Sequence, residues 1–173
     1  MKYLAALFVA FVLAVSLPVA AGEMCTVVRV VDGDTIKAWD ADGVGLTVRL
    51  VGVDAPENHY DDKAFRSARA WRIPVGEVVA AGAEAAAFVR ELLPRGAAVE
   101  IEAAGRGVDD YGRVLAYVYG PDGGCVNDAL LREGYAQAYR REDFSRRGEF
   151  LLLEDEARNG KRGFWGNIWR AVE

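Results

Sequence analysis

Five side chains stand out as able to act together: Asp34, Arg49, Asp54, Glu57 and Arg113. Arg49 is the most informative. It lies in the run Leu46 to Val53, where Leu46, Val48 and Leu50 alternate with Thr47, Arg49 and Val51, the period-2 pattern of a half-buried strand. A guanidinium on such a strand needs an anionic partner, because an unpaired buried charge is very costly. Two partners are open. One is a carboxylate of the chain, Asp54 or Glu57, in a plain internal salt bridge. The other is a substrate anion, which leaves the carboxylates to hold a metal. Asp34 and Asp54 supply hard oxygen ligands of the kind that suit calcium or magnesium. Arg49 and Arg113 carry planar donor forks that match phosphate oxygens. Glu57 then remains as a base. Two guanidiniums, a hard cation and one carboxylate are the components of phosphodiester hydrolysis. The same residue types also make purely structural bridges.

Each of these residues falls at a strand end or a loop, where sites are grafted onto rigid scaffolds. Thr26 to Val31 reads as a strand, Asp32-Gly33-Asp34 as a turn, and Thr35 to Trp39 as a second strand. Asp40 to Gly45 is a hairpin loop, and Leu46 to Val53 is the third strand, with Pro56 blocking further pairing. Val78 to Leu93 predicts a helix: Ala85, Phe88, Val89 and Leu92 recur at i, i+3, i+4, i+7, and Pro94-Arg95-Gly96 stops it. Ala97 to Ala103 and Val114 to Tyr119 are the fourth and fifth strands, separated by a loop over Gly105 to Gly112. Asn127 is placed to cap a short helix through Glu133, and Ser145 to Asn159 is the last helix. Five strands and about three helices in this order predict an α+β fold on a five-stranded OB-fold barrel.

Asn58 to Glu77 is less regular. Lys63, Arg66, Arg69 and Arg72 recur every third position, with Phe65 and Trp71 among them. On a helix this is a basic stripe that drifts round the axis. It reads either as a phosphate-contacting arm with Trp71 available to stack on a base, or as a solvated face with Phe65 and Trp71 packed on the core.

The chain of 173 residues is long enough for one domain with a real core. Lys2, the apolar run Leu4 to Val15, Ser16, Pro18 and the small residues Val19-Ala20-Ala21 follow the order of a secretory signal peptide. Cleavage is expected after Ala21, leaving residues 22–173 as a secreted or periplasmic domain. The alternative is an uncleaved membrane anchor, although Leu4 to Ala21 barely reaches spanning length. Losing Lys2 moves the formal net charge from −5 to −6. An acidic chain is not steered to polyanions by its overall field, so any nucleic-acid function must rest on a local basic site or on bound metal. Cys25 and Cys125, an even pair in an exported chain, predict one disulfide, with two buried free thiols as the other reading. Zinc is disfavoured by the lack of a CxxC pair and by a lone histidine, His59.

Three segments then carry a resemblance. Val30-Val31-Asp32-Gly33-Asp34-Thr35, Val48-Arg49-Leu50 through Val53-Asp54-Ala55-Pro56-Glu57, and Asp110-Tyr111-Gly112-Arg113-Val114-Leu115-Ala116-Tyr117 resemble the staphylococcal nuclease (thermonuclease) family. Gly82-Ala83-Glu84-Ala85, Val126-Asn127-Asp128-Ala129-Leu130 and Gly163-Phe164-Trp165 extend it over nearly the whole chain after residue 21. The resemblance implies a calcium-dependent endonuclease that cleaves DNA and RNA and leaves 3′-phosphate ends. It implies Asp34, Asp54 and the backbone carbonyl of Ala55 as calcium ligands. Arg49 and Arg113 would hold the scissile phosphate, Glu57 would act on the attacking water, and Tyr111 would contact substrate. The family often has threonine where this chain has Ala55, but a carbonyl ligand does not depend on the side chain. With so few protein ligands, calcium binding without nucleic acid is expected to be weak, on the order of 10⁻⁴–10⁻³ M.

Two departures stand out. The connection after Glu57 is longer than in the type member and carries the basic stripe, which is expected to supply the local positive field that the acidic body lacks. Tyr139-Arg140-Arg141 and Arg146-Arg147 stand where the family has a substrate-binding aromatic and basic segment. The alternatives to an enzyme are a barrel that holds single-stranded nucleic acid without cutting it, and a structural calcium domain, for which two carboxylates make a poor cage. A monomer without stable membrane association after signal removal is expected.

Overall fold

The structure, a computed structural model, describes residues 22–167. The segment expected to be a signal peptide, residues 1–21, lies outside the described residues. In chain order the elements are β1 (Glu23–Val30), β2 (Thr35–Trp39), β3 (Gly45–Leu50), β4 (Val53–Asp54), α1 (Asp62–Trp71), α2 (Val75–Leu92), β5 (Ala98–Val108), β6 (Val114–Tyr119), α3 (Val126–Arg132), β7 (Gln137–Ala138) and α4 (Arg147–Asn159), followed by a 3₁₀ turn over Gly163–Gly166. Five strands close a barrel in the order β1-β2-β3-β6-β5, and β4 pairs with β7 in a separate two-stranded ribbon. The OB-type barrel is therefore present, with four α-helices among the described residues rather than about three. No helix among the described residues is long and apolar enough to cross a membrane.

Alternation fills the barrel. Val27, Ile36, Ala38, Val48, Leu50, Val99, Ile101, Ala116 and Val118 are buried, as period-2 strands with one apolar face require. β6 is buried on its other face too, because α4 covers it: the Tyr117 ring meets Phe150 edge-on at 5.9 Å. The meander β1-β2-β3 is antiparallel, whereas β3 and β6 run parallel across a crossover that contains β4, α1, α2 and β5.

Three details differ from expectation, each with a physical cause. First, the third strand does not run through to Val53. Gly52 adopts φ +77°, a left-handed conformation that L side chains rarely adopt, and a Cβ there would stand 2.6 Å from the Phe144 ring and 2.8 Å from Phe150. The chain turns at this point and leaves the barrel as β4. Second, Asn127 does not cap α3. The cap position is Cys125, without a side-chain bond. Asn127 is fully buried and bridges strands instead: its Oδ1 accepts the Val118 N–H at 3.1 Å, and its Nδ2 donates to Val51 O at 2.9 Å and Ala116 O at 3.2 Å. It satisfies backbone groups where β3 and β6 part. Third, the segment read as the loop Gly105 to Gly112 is strand up to Val108; the turn proper is Asp109 to Gly112.

The expected disulfide is corrected as well: Cys25 and Cys125 are both free thiols. Cys25 pairs with Val99 on β5, while Cys125 bridges to Tyr119 on β6. Two strands therefore stand between them, roughly 14 Å along the sheet at normal strand spacing, against a Cα limit of about 7 Å for a disulfide.

Asn58 to Glu77 resolves into α1 and the start of α2. Asp61 caps α1 by accepting the Ala64 N–H at 2.7 Å, and Arg72 ends it at φ 56°. Ala64 and Ala68 pack against Val78 of α2 in a small core of their own, with Trp71, Ile73, Val75 and Val79 around it.

Candidate active site

The site is built where the barrel opens beneath α1. Thr35 on β2 pairs with Arg49 on β3, so Asp34, one residue before Thr35, comes level with Arg49 at the barrel mouth. The Arg49 Nη1 forms an ion pair with the Asp34 Oδ1. Asp34 is buried; its Oδ2 accepts the Ala55 N–H at 3.0 Å and its Oδ1 accepts the Thr35 hydroxyl at 3.1 Å. Arg49 also donates from Nη2 to Val53 O at 3.1 Å, and that Nη2 lies 3.8 Å from Asp54 Oδ1. Both internal partners proposed for Arg49 from the sequence were downstream. The main one is upstream, in the turn that leads into β2.

The turn at Gly52 makes this possible. In an unbroken strand, residues 49 and 54 would face opposite sides. The left-handed step at Gly52 brings Asp54 back to the same guanidinium. Burial alone would raise the Asp34 carboxyl, but Arg49, then Lys63 and the Ala55 N–H, hold it below the usual carboxylate range.

Glu57 is set from the other side. The α2 helix passes so close that a Cβ on Gly82 would collide with the Glu57 carbonyl and the Asn58 nitrogen. Asn58 ties the same loop to the barrel by donating to Val31 O at 2.9 Å. The Glu57 Oε1 accepts from Lys63 Nζ at 2.6 Å, and the same ammonium reaches Asp54 Oδ1 at 2.9 Å.

Arg113 follows the turn between β5 and β6. Asp109 organises that turn: its Oδ1 accepts the N–H groups of Tyr111 and Arg113, both at 2.9 Å, and its Oδ2 accepts Arg113 Nε at 2.7 Å. Burial would raise the Asp109 carboxyl, but these donors outweigh it and hold it low. The Tyr111 ring is 86 % exposed, and its centroid lies 5.4 Å from the Arg113 guanidinium carbon.

These groups line one open cleft of about 610 Å³, together with Asp32, Asp61, Arg66, Ser67, Trp71, Gln137, Tyr139 and Arg141. A profile of the family described as staphylococcal nuclease homologue matches residues 47–167. The chain belongs to the staphylococcal nuclease family. The matched span holds Arg49, Asp54, Glu57 and Arg113; Asp34 lies upstream of it, on the part of the barrel that completes the site. The chain is 33% identical over 151 residues to a protein of Escherichia coli named an uncharacterized endonuclease, covering 83% of this chain and 82% of that one. It is 32% identical over 172 residues to a micrococcal nuclease of Shigella flexneri, covering 95% and 86%. A Bacillus subtilis protein named endonuclease YhcR is 31% identical over 156 residues, 86% of this chain but 12% of that protein.

Against this family frame, the sequence-predicted residues divide. Asp34, Arg49, Asp54, Glu57, Arg113 and Tyr111 converge. Of the basic stripe, Lys63 and Arg66 line the cleft, whereas Arg69 and Arg72 do not. Of the later basic segment, Tyr139 and Arg141 line it. Arg140 is paired with buried Glu154, Arg146 with Asp128 and Glu149, and Arg147 with Asp143.

Two groups were missed. Asp32 also faces the cleft; its Oδ1 accepts the Asp34 N–H at 3.0 Å. Burial first, then repulsion from Asp34, pushes its carboxyl up to about 6. The Asp-Gly-Asp repeat was the available signal. Asp109 was missed as the holder of Arg113, although it stands four residues before it.

The donor set fits a hard divalent cation. Asp34, Asp54 and Glu57 offer carboxylate oxygens, and buried Ala55 has a carbonyl that accepts no hydrogen bond among the described residues. Oxygen-only sets of this kind select calcium or magnesium over softer ions. Ligand atoms of Glu57, His59 and Asp61 also lie within 4.8 Å of one another, and Glu57 and Asp61 line the same cleft.

Proposed function

We propose that this chain is an exported, calcium-dependent endonuclease that hydrolyses phosphodiester bonds of DNA and RNA and leaves 3′-phosphate ends. The observation that carries the reading is the position of Arg49: one guanidinium stands between Asp34 and Asp54, with Glu57 and Arg113 opening onto the same cleft. The names of the relatives, endonuclease and micrococcal nuclease, support it.

Asp34 and Asp54, with the Ala55 carbonyl, would hold the calcium ion, which when bound supplies Lewis acidity at a phosphoryl oxygen. The chain's own groups do the rest. Arg49 is anchored through Asp34 and Val53 O, so its fork is oriented before substrate arrives. Arg113 approaches from the rim, aimed by Asp109, and donates to the same phosphate as negative charge grows on its oxygens. Glu57 accepts a proton from the attacking water or orients it for in-line attack. Cleavage of the bond from phosphorus to the 5′-oxygen leaves the phosphate on the 3′ side. Exposed Tyr111 offers a face to a neighbouring base or sugar. Residues 1–21 act as the cleaved export signal, and the remaining chain works as a monomer in the periplasm or outside the cell.

Digestion of plasmid DNA and a fluorescent RNA oligonucleotide, with calcium and with chelator, tests the proposal. Cleavage abolished by chelation and by Glu57→Gln is the expected result. Retarded but intact nucleic acid under both conditions would replace it with a single-strand-binding module.

A further inference from the structure

The basic residue nearest Asp54 and Glu57 is neither Arg49 nor Arg113 but Lys63, whose ammonium is wedged between the two carboxylates. Its Nζ lies 2.6 Å from Glu57 Oε1 and 2.9 Å from Asp54 Oδ1. Asp54 Oδ1 is also the atom that Arg49 Nη2 approaches at 3.8 Å. Lys63 thus shares one carboxylate with each side of the site and joins the water-activating residue to the metal-ligand residue.

The placement is built into the fold. Lys63 is the second residue of α1, between the Asp61 cap and buried Ala64, and α1 is packed on α2 through Ala64, Ala68 and Val78. α2 in turn fixes the Glu57 loop through the close approach at Gly82. One rigid helical pair therefore carries the lysine and locates the carboxylate it binds. Charge balance points the same way. Five carboxylates and five cationic side chains line the cleft, so Lys63 completes neutrality without any added ion.

We propose that Lys63 is an internal counter-cation of the site: it neutralises Asp54 and Glu57 in the metal-free protein and must leave Asp54 for a divalent cation to bind there. The inference rests on the reading of Asp54 as a metal ligand. An ammonium is a compact, strongly hydrated point charge on a flexible stem, able to hold this position and to withdraw. Calcium then meets a competitor that is part of the protein. Its affinity in the free enzyme is held down, and incoming phosphate, by giving the displaced ammonium a new partner, restores it. Metal and substrate binding are coupled through this one side chain.

The test is calorimetric titration of calcium into wild type, Lys63→Met, Lys63→Arg and Asp54→Asn without nucleic acid, paired with urea denaturation of the same proteins in chelator. Lys63→Met should bind calcium about tenfold more tightly than wild type, with Lys63→Arg closer to wild type. In chelator Lys63→Met should be less stable than wild type, and calcium should close that gap. Calcium affinity in Lys63→Met equal to or weaker than wild type, with binding still lost in Asp54→Asn, overturns the proposal and leaves the metal site standing. Calcium binding indifferent to Asp54→Asn overturns both, and the chelator measurement then reports the Lys63 ion pairs alone.

Discussion

The cleft has a floor and a rim, and they are made differently. The floor is set by strands: Arg49 on β3 pairs with Thr35 on β2, Asp34 stands one residue before that pair, both charged groups are largely buried, and Ala55 is locked to Asp34 through its N–H. The rim is carried by a helix and a turn: Lys63 and Arg66 on α1, Tyr111 and Arg113 after β5. Floor residues have several partners each and little water. Rim residues are more open to solvent: Arg66 and Tyr111 are exposed, Arg113 is held by Asp109, and Lys63 bridges Glu57 and Asp54. The difference separates orientation from capture. Groups that must be fixed before substrate arrives are built into the barrel, and groups that meet substrate at the opening stand on a helix and a turn.

The largest effect should come from the floor. Arg49→Met leaves the buried Asp34 carboxylate unpaired and should cost about 3–5 kcal/mol of stability, with a fall in kcat of at least about 10²-fold. Urea denaturation and steady-state kinetics on one preparation would show both. Stability unchanged within ~0.5 kcal/mol would break the distinction, because the floor would then be no more integral than the rim.

A pH experiment sharpens it. Asp32 titrates near 6 in the folded protein against an ordinary value of 3.8. The folded state keeps that proton between the two values, so the stability Asp32 contributes is complete below 3.8 and lost as pH rises through about 6. In chelator, Asp32→Asn should match wild type near pH 4 and exceed it by ~2 kcal/mol at pH 7. A difference that does not grow with pH would remove Asp32 from the charge balance of the floor.

At the rim, Asp109→Ala frees Arg113 and should lower kcat about tenfold while costing no more than ~1 kcal/mol of folding free energy. A kinetic loss as large as that of Arg49→Met would show that the turn is catalytic structure and not an adjustable arm. The smallest effect is a contrast within one helix. Arg66→Gln should raise KM for DNA and reduce its salt slope by about one, and Arg69→Gln should leave both unchanged. Equal effects from the two would mean that the long-range field of α1 matters and its facing does not.

The five central residues were legible because each combines a chemistry-bearing type with a turn or strand-end position, and because strand alternation placed the barrel strands within a few residues. What was not legible depends on neighbours in space. Arg49 meets Asp34 through a strand register that no local pattern states. Asn127 looked like a cap because Asn favours caps, yet tertiary packing gave it a deeper task between β3 and β6. The disulfide failed because strand order, not cysteine count, decides which thiols can meet. The basic stripe was read as one unit; the start of α1 at Asp62 sets its phase, and only two of its four members reach the cleft.

Gly52 carries a final consequence. The meander β1-β2-β3 ends before it, and Asp54 and Glu57 lie after it, so the handedness of one peptide step decides whether scaffold and reactive groups meet. A homologue with a bulky residue there could keep its barrel and every acidic and basic side chain named above, and still be inert. For sorting active from silent copies of this architecture, the residue two places before Asp54 is as telling as the charged side chains themselves.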